Sequence, residues 1–302
     1  MIERLRKAAR ALFCTVLLLC VPVSRALATE LGGGAYPNGA EDFMAGAVPP
    51  PGTYFLNYLT WYSADRFNDD ADRVESFHLD AVADVVRLLH VTDKKVLGAD
   101  WGMHIFIPFA DVDAEVPSFG IDESRSGLGD IIIDPIILGW HFSKNLHAVA
   151  ALDIYVPTGK YGQEHLANPG RNYWTFEPVA GVTYVTDGGT DFSAKLMYDF
   201  NIENPDTDYT SGNELHMDYT VGHKFGAFSA GAGGYWYQQV TADEAGGDST
   251  AFPMEKGRAL AIGPQVKYEY KNMAFTLKYL IEVETRNRPE GNNLWFKFLY
   301  AF

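Results

Sequence analysis

Cysteine is absent beyond Cys20, and the two that exist, Cys14 and Cys20, lie in a segment that reads as a cleavable leader. Nothing downstream can form a disulfide, act as a thiolate nucleophile or ligate a metal through sulfur. Long apolar runs are also missing. After the leader no stretch reaches the roughly 20 consecutive apolar residues of a membrane helix, which excludes an α-helical membrane protein. Basic residues are scarce as well. The leader takes five basic residues and one acidic residue from totals of 24 and 39, leaving 19 against 38. A chain of that sign lacks the basic footprint that phosphate backbones require, so no nucleic-acid partner is expected. It suits an acidic surface facing water or divalent cations.

The leader is legible in its own terms. Arg4, Arg6, Lys7 and Arg10 precede an apolar run from Ala11 to Val23, and Ala26-Leu27-Ala28 supplies an A-x-A cleavage site before Thr29. This is the pattern of a secretory signal peptide, expected to be removed as residues 1–28. Lipidation at Cys20 is disfavoured, because Leu19 stands where a small residue would be needed.

What remains is a series of β segments of about ten to fifteen residues, rich in aromatic and β-branched side chains and separated by Gly, Pro, Asp and Asn. The expected strands are 52–62, 76–91, 97–110, 127–142, 146–157, 174–185, 191–202, 214–225, 228–240, 257–270, 273–286 and 292–302. Their connections alternate long and short, with tight turns expected around Asp93-Lys94-Lys95, Ser143-Lys144-Asn145, Gly226-Ala227 and Lys271-Asn272. That alternation predicts an all-β, up-and-down antiparallel transmembrane barrel of about twelve strands, with short periplasmic turns and longer extracellular loops.

The faces of the strands agree. Met273, Phe275, Leu277, Tyr279, Ile281 and Val283 share one side of a strand, opposite Thr276, Lys278, Glu282 and Glu284. Successive side chains of a strand alternate, so one side suits lipid and the other a wet lumen. Tyr and Trp near strand ends, including Tyr54, Tyr58, Trp61, Tyr62, Trp101 and Tyr300, are expected to form an interfacial belt. The last strand ends on Phe298, Tyr300 and Phe302, which resembles the sorting signal of bacterial outer-membrane barrels. It is expected to engage the barrel assembly machinery in a protein surrounded by outer-membrane lipid and lipopolysaccharide.

Before the first strand, residues 29–51 carry Gly32-Gly33-Gly34 and Pro49-Pro50-Pro51 around Ala40-Glu41-Asp42-Phe43-Met44-Ala45. The segment reads as a periplasmic tail or a lumenal plug. The stiffness of the polyproline run favours the tail.

Several stretches resemble the family of outer-membrane proteins described as involved in the meta-pathway of phenol degradation, often labelled transporters. They are Gly39-Ala40-Glu41-Asp42-Phe43, Pro49 to Phe55, His90-Val91-Thr92-Asp93-Lys94-Lys95, Gly127-Leu128-Gly129-Asp130-Ile131, Tyr155 to Tyr161, Gly170 to Pro178 and Asn287-Arg288-Pro289-Glu290-Gly291. The resemblance spans nearly all of the mature chain. It implies an outer-membrane barrel associated with the catabolism of aromatic compounds, and supplies no catalytic residue.

Other motifs carry less. Gly159-Lys160 fails the full phosphate-loop pattern because Tyr161 follows the lysine. The lumen-facing histidines expected at 78, 104, 147 and 216 show no tight metal-ligand spacing, so neither metal nor cofactor is expected. His223 and Ser229 fall on opposite parities, which argues against an outer-membrane lipid hydrolase.

The expected reading is a narrow passive channel, no enzyme, for a small aromatic or hydrophobic solute. The alternative is a surface barrel with a closed lumen. Candidate lumen residues are Asp80, Asp84, His104, Phe106, Asp130, Asp134, Asp153, Tyr155, Lys195, Asp199, Glu269, Lys278, Glu282 and Lys297. The excess of carboxylates there favours cations or neutral molecules over anions.

Overall fold

The computed structural model describes residues 33–68, 73–74, 77–117, 120–246, 248–252 and 256–302, so the expected signal peptide lies outside the described residues. No helix among them is long and apolar enough to cross a membrane. Twelve antiparallel strands form the wall. They are β1 (Gly52–Asn68), β2 (His78–Val96), β3 (Ala99–Val116), β4 (Ile131–His141), β5 (Leu146–Val156) and β6 (Thr175–Val185), followed by β7 (Thr190–Asn201), β8 (Glu214–Phe225), β9 (Phe228–Gln239), β10 (Arg258–Tyr270), β11 (Met273–Arg286) and β12 (Arg288–Ala301).

Each wall strand pairs with its neighbours in sequence, and β12 pairs back to β1 with Leu59 opposite Phe296 and Thr60 opposite Trp295. The sheet therefore closes and has no free edge, as a backbone surrounded by hydrocarbon requires. Leu277, Tyr279, Ile281, Leu294 and Phe296 point outward, while Trp295, Lys278 and Leu280 are buried inside. Moving each outward aliphatic or aromatic side chain from water into lipid is worth roughly 1.5–3 kcal/mol.

The strands near the N-terminus run longer than expected. β2 continues through Asp93-Lys94-Lys95, and the turn falls at Leu97 and Gly98, whose φ values are 51° and 78°. Two successive positive φ values suit a two-residue hairpin, because such a turn matches the twist of its flanking strands. A bulge between Val91 and Lys95 absorbs the extra residues. The expected long loop after residue 110 is also strand. β3 runs to Val116 and is paired by a short returning strand, Ile121–Leu128. A second small sheet, Tyr209–Thr210, Asp243–Ala245 and Asp248–Phe252, stands on the same long-loop side.

The interior holds the largest departure. The described part of the N-terminal segment, from Gly33 to Pro51, lies within the barrel, where the sequence favoured a periplasmic tail. Phe43 and Val48 are buried against the inner wall, where Gly222 and Gly139 leave the room they occupy. A Cβ on Gly222 would lie 2.1 Å from the Phe43 ring, and one on Gly139 2.5 Å from Val48. The segment leaves at the short-turn side, where the Tyr54 hydroxyl donates to the Pro50 carbonyl at 2.7 Å.

Candidate functional site

An inserted peptide needs partners for its backbone, since a buried N–H left unpaired costs about as much as a lost hydrogen bond. Asp218, on the inner face of β8, provides three. It accepts from the Tyr36 hydroxyl at 2.7 Å, the Gly39 N–H at 2.9 Å and the Glu41 N–H at 2.9 Å. Gly39 has φ 83°, and a Cβ there would lie 2.5 Å from Leu280 and 2.9 Å from the Tyr235 ring, so only glycine fits this turn. Further along, Met44 donates its N–H to Asp191 and Gly46 to the Thr183 hydroxyl, both at 2.9 Å.

Three lysines complete the seat. Lys195 pairs with Glu41 at 3.0 Å, and Lys297 with Asp42 at 2.5 Å. Lys278 donates to the carbonyls of Gly39 and Glu41. Burial opposes the charge of Glu41, but Lys195, Lys297 and Arg87 outweigh it and hold the carboxyl well below its ordinary value.

Two cavities lie on either side of this seat. The one toward the long loops has a volume of about 340 Å³, and that toward the short turns about 430 Å³. Glu41, Tyr58, Asp153 and Lys195 line both, so these four side chains form the septum between them. The outer cavity is walled on β2 and β3 by Leu79, Ala81, Ala83, Val85, Phe106, Ala110 and Val112. Toward the long loops the inward face of those two strands is therefore apolar, and Arg87 and His104 follow only toward the short turns.

The expected lumen residues distribute unevenly. Lys195, Lys278 and Lys297 hold the plug. His104 and Asp153 meet at 2.6 Å beside Arg87, whose guanidinium lies 4.8 Å from the centre of the Phe106 ring. Tyr155 donates to Glu177 at 3.1 Å, and Asp199 is buried near His216. Glu282 accepts from Tyr62 at 2.8 Å, from the Gly291 N–H at 2.6 Å and from Tyr235. Asp134 accepts the N–H groups of Ile136 and Leu152, which stabilises the bulge where β4 shifts register against β5.

Asp130 lies just before β4 and accepts from the Gly159 N–H at 2.9 Å and the Arg171 N–H at 2.7 Å, and burial raises its pKa. Gly159 thus serves a loop anchor. Glu269 pairs with Lys267 at 3.1 Å and with Lys224 near the short-turn rim. Phe298 packs with Phe275 and Phe55 on the outside, and Tyr300 meets Phe302 edge-on at 5.1 Å.

Asp80 and Asp84 require correction, as does His78. Their parity on β2 is that of Val82 and Leu88, which are 41% and 44% exposed, so all three face outward. Both parities of this strand are largely apolar, and the carboxylates suggested the wrong one as the wet side. Asp84 accepts from Asn57 of the adjacent strand, and Asp80 pairs with His78 at 3.2 Å. Tyr54, Tyr58 and Tyr62 err in the other direction. They share the inward parity of β1, with Trp61 outside. The seat residues Asp218, Asp191 and Thr183 had no local signal, because their function depends on partners more than 130 positions away.

A closed barrel of this kind, apolar without and charged within, defines the class of outer-membrane β-barrels. The chain belongs to the family described as "Putative MetA-pathway of phenol degradation", whose profile matches residues 63–298. Its fold is similar to that of an outer membrane channel from Pseudomonas putida F1, which is 15% identical, with a TM-score of 0.78 over 86% of this chain and 98% of that one. It is more distantly similar to the translocator domain of the autotransporter NalP from Neisseria meningitidis, 9% identical, with a TM-score of 0.52 over 84% of this chain and 90% of that one. No curated protein matches by sequence.

Proposed function

We propose that the protein is a passive outer-membrane channel for small aromatic or otherwise hydrophobic molecules, linked through its family to the degradation of phenolic compounds. The observation that carries this reading is the apolar-walled cavity of about 340 Å³ on the long-loop side of the septum. Its size falls within the range of small-molecule sites, roughly 300–1,000 Å³. A neutral ring entering there would leave water for Ala81, Ala83, Ala110 and Phe106, and diffusion down a gradient would need no cofactor.

The septum favours a second reading, a barrel whose lumen stays closed. Conductance in planar bilayers and phenol flux into liposomes, measured with and without residues 29–51, separate the two. The channel reading expects deletion to raise conductance on the order of tenfold or more, since a twelve-stranded barrel lies between filled and open sizes. Silence of both proteins, together with no phenol flux, would leave only the closed barrel. Assembly through the C-terminal aromatic signal belongs to the same proposal. Phe302, 78% exposed, should be dispensable for wall packing yet needed for insertion. Its deletion should lower the heat-modifiable folded fraction in the outer membrane, and an unchanged fraction would count against the signal.

A further inference from the structure

Two groups of one histidine and two carboxylates are buried in the lumen wall, His104 with Asp134 and Asp153, and His216 with Glu177 and Asp199. Their compositions nearly match, but their hydrogen bonding does not. In the first, His104 Nε2 meets Asp153 at 2.6 Å, its Nδ1 meets Arg87 at 2.9 Å, and Asp134 accepts two backbone N–H groups. The protein itself satisfies that group.

In the second, both ring nitrogens of His216, both oxygens of Asp199 and Oε1 of Glu177 are buried with no well-aligned hydrogen bond, and Asp199 otherwise faces only the carboxyl groups of Glu177 and Glu214. The side chains are 1%, 0% and 0% exposed. Of the cations nearby, Lys195 pairs with Glu41 and Lys278 with plug carbonyls, while Arg288 lies over the Tyr237 ring at 4.0 Å and faces Glu214 rather than His216 or Asp199. Glu214, two positions from His216, already accepts from the Tyr237 hydroxyl at 2.9 Å. Buried carboxylates and an imidazole left in this state call for a further partner.

We propose that Glu177, Asp199 and His216, on the adjacent strands β6, β7 and β8, bind a divalent transition-metal ion of the zinc type. Donors around a tetrahedral ion with bonds of about 2.1 Å lie roughly 3.4 Å apart. His216 Nε2 is 3.3 Å from Asp199 Oδ2 and 3.6 Å from Glu177 Oε2, and the three donor atoms lie within 4.8 Å of one another. An imidazole with two carboxylates suits zinc or its first-row neighbours better than the oxygen-loving calcium or magnesium.

The Tyr155 hydroxyl, 3.1 Å from Glu177, orients one ligand from outside. The His216 ring stacks on Tyr36 of the plug at 4.8 Å, so the ion would join three wall strands directly behind the plug's first anchor. Its place is structural, in the wall beside the septum, where Glu177 stands opposite Asp153 on the adjacent strand.

The folded full-length protein, stripped with a chelator and dialysed against zinc chloride, tests this by elemental analysis and calorimetry. The expected result is about one tightly held zinc per chain. Asp199→Asn and Glu177→Gln, shown to be folded by heat-modifiable migration, should weaken zinc binding by more than about tenfold. Asp84→Asn, on the outward face of β2, should leave it unchanged. Should the ligand variants not fold, anomalous scattering at the zinc edge from wild-type crystals decides: a peak between His216 and Asp199 supports the site. Zinc at background in the wild type, equal binding by wild type and Asp199→Asn, or no peak would overturn it in favour of protons shared among the carboxyl groups.

Discussion

The lumen has two unlike walls. On β2 and β3 the inward positions toward the long loops are Leu79, Ala81, Ala83, Val85, Phe106, Ala110 and Val112, with Arg87 and His104 nearer the short turns. On β6 to β8 they include Glu177, Thr183, Asp191, Lys195, Asp199, His216 and Asp218, all buried. The N-terminal segment anchors its backbone on the second wall and on Lys278, and none of its described hydrogen bonds reaches β2 or β3. The asymmetry shows where a path can run. A peptide must satisfy its N–H groups and therefore adheres to the wall that offers acceptors, leaving a gap along the wall that offers none. A hydrophobic solute has the opposite need.

The strongest way to break this division is Asp218→Ala, which removes the acceptor shared by Tyr36, Gly39 and Glu41. Hydrogen bonds to a charged group are worth about 1.5–3 kcal/mol each, so losing three should unseat the plug. Protease accessibility of residues 33–51 in the folded barrel and longer open times in bilayers should both rise. A plug that stays protected would mean that the lysine pairs alone suffice.

A smaller effect is expected on the other wall. Ala83→Asp places a carboxylate where a ring would lie, and an unpaired polar group there costs the passing solute about 1–3 kcal/mol. Aromatic flux into liposomes should fall about tenfold, while the ionic conductance of the plug-deleted barrel should barely change. Equal loss of both would show that the substitution narrows the barrel instead.

The smallest expected effect is that of acid. The Glu41 carboxyl is held well below its ordinary value of 4.5, so its contribution to the seat is fully present above that pH and is lost only as pH falls through the depressed value. Bilayer recordings should find the same low ionic conductance from pH 7 to about pH 4, with larger openings only in stronger acid. Glu41→Gln at pH 7 should mimic that acid state. Opening near pH 5 would mean that Lys195 and Lys297 do not control this carboxylate.

Much of the wall was legible because it is written locally. Strands such as Thr190–Asn201, Glu214–Phe225 and Met273–Arg286 alternate apolar and polar residues, and Gly226-Ala227 and Lys271-Asn272 mark turns between strands. For the facing of side chains, local pattern misled where both parities of a strand looked alike. On β2, Ala81, Ala83 and Val85 compete with Val82, Val86 and Leu88, and a period of two cannot say which set faces lipid. Register against β1 and β3 decides it, and sends Asp80 and Asp84 outside.

The sequence by itself determined an acidic, cysteine-free chain after Cys20, twelve alternating strands and a closing strand that ends in Phe302, because these follow from composition and from the short-range geometry of a β-strand. Only the tertiary structure decided that Glu41 and Asp42 sit among Lys195, Lys278 and Lys297, and that Glu177, Asp199 and His216 converge. Those contacts join residues far apart in the chain, and closing the barrel is what brings their inward faces to one place.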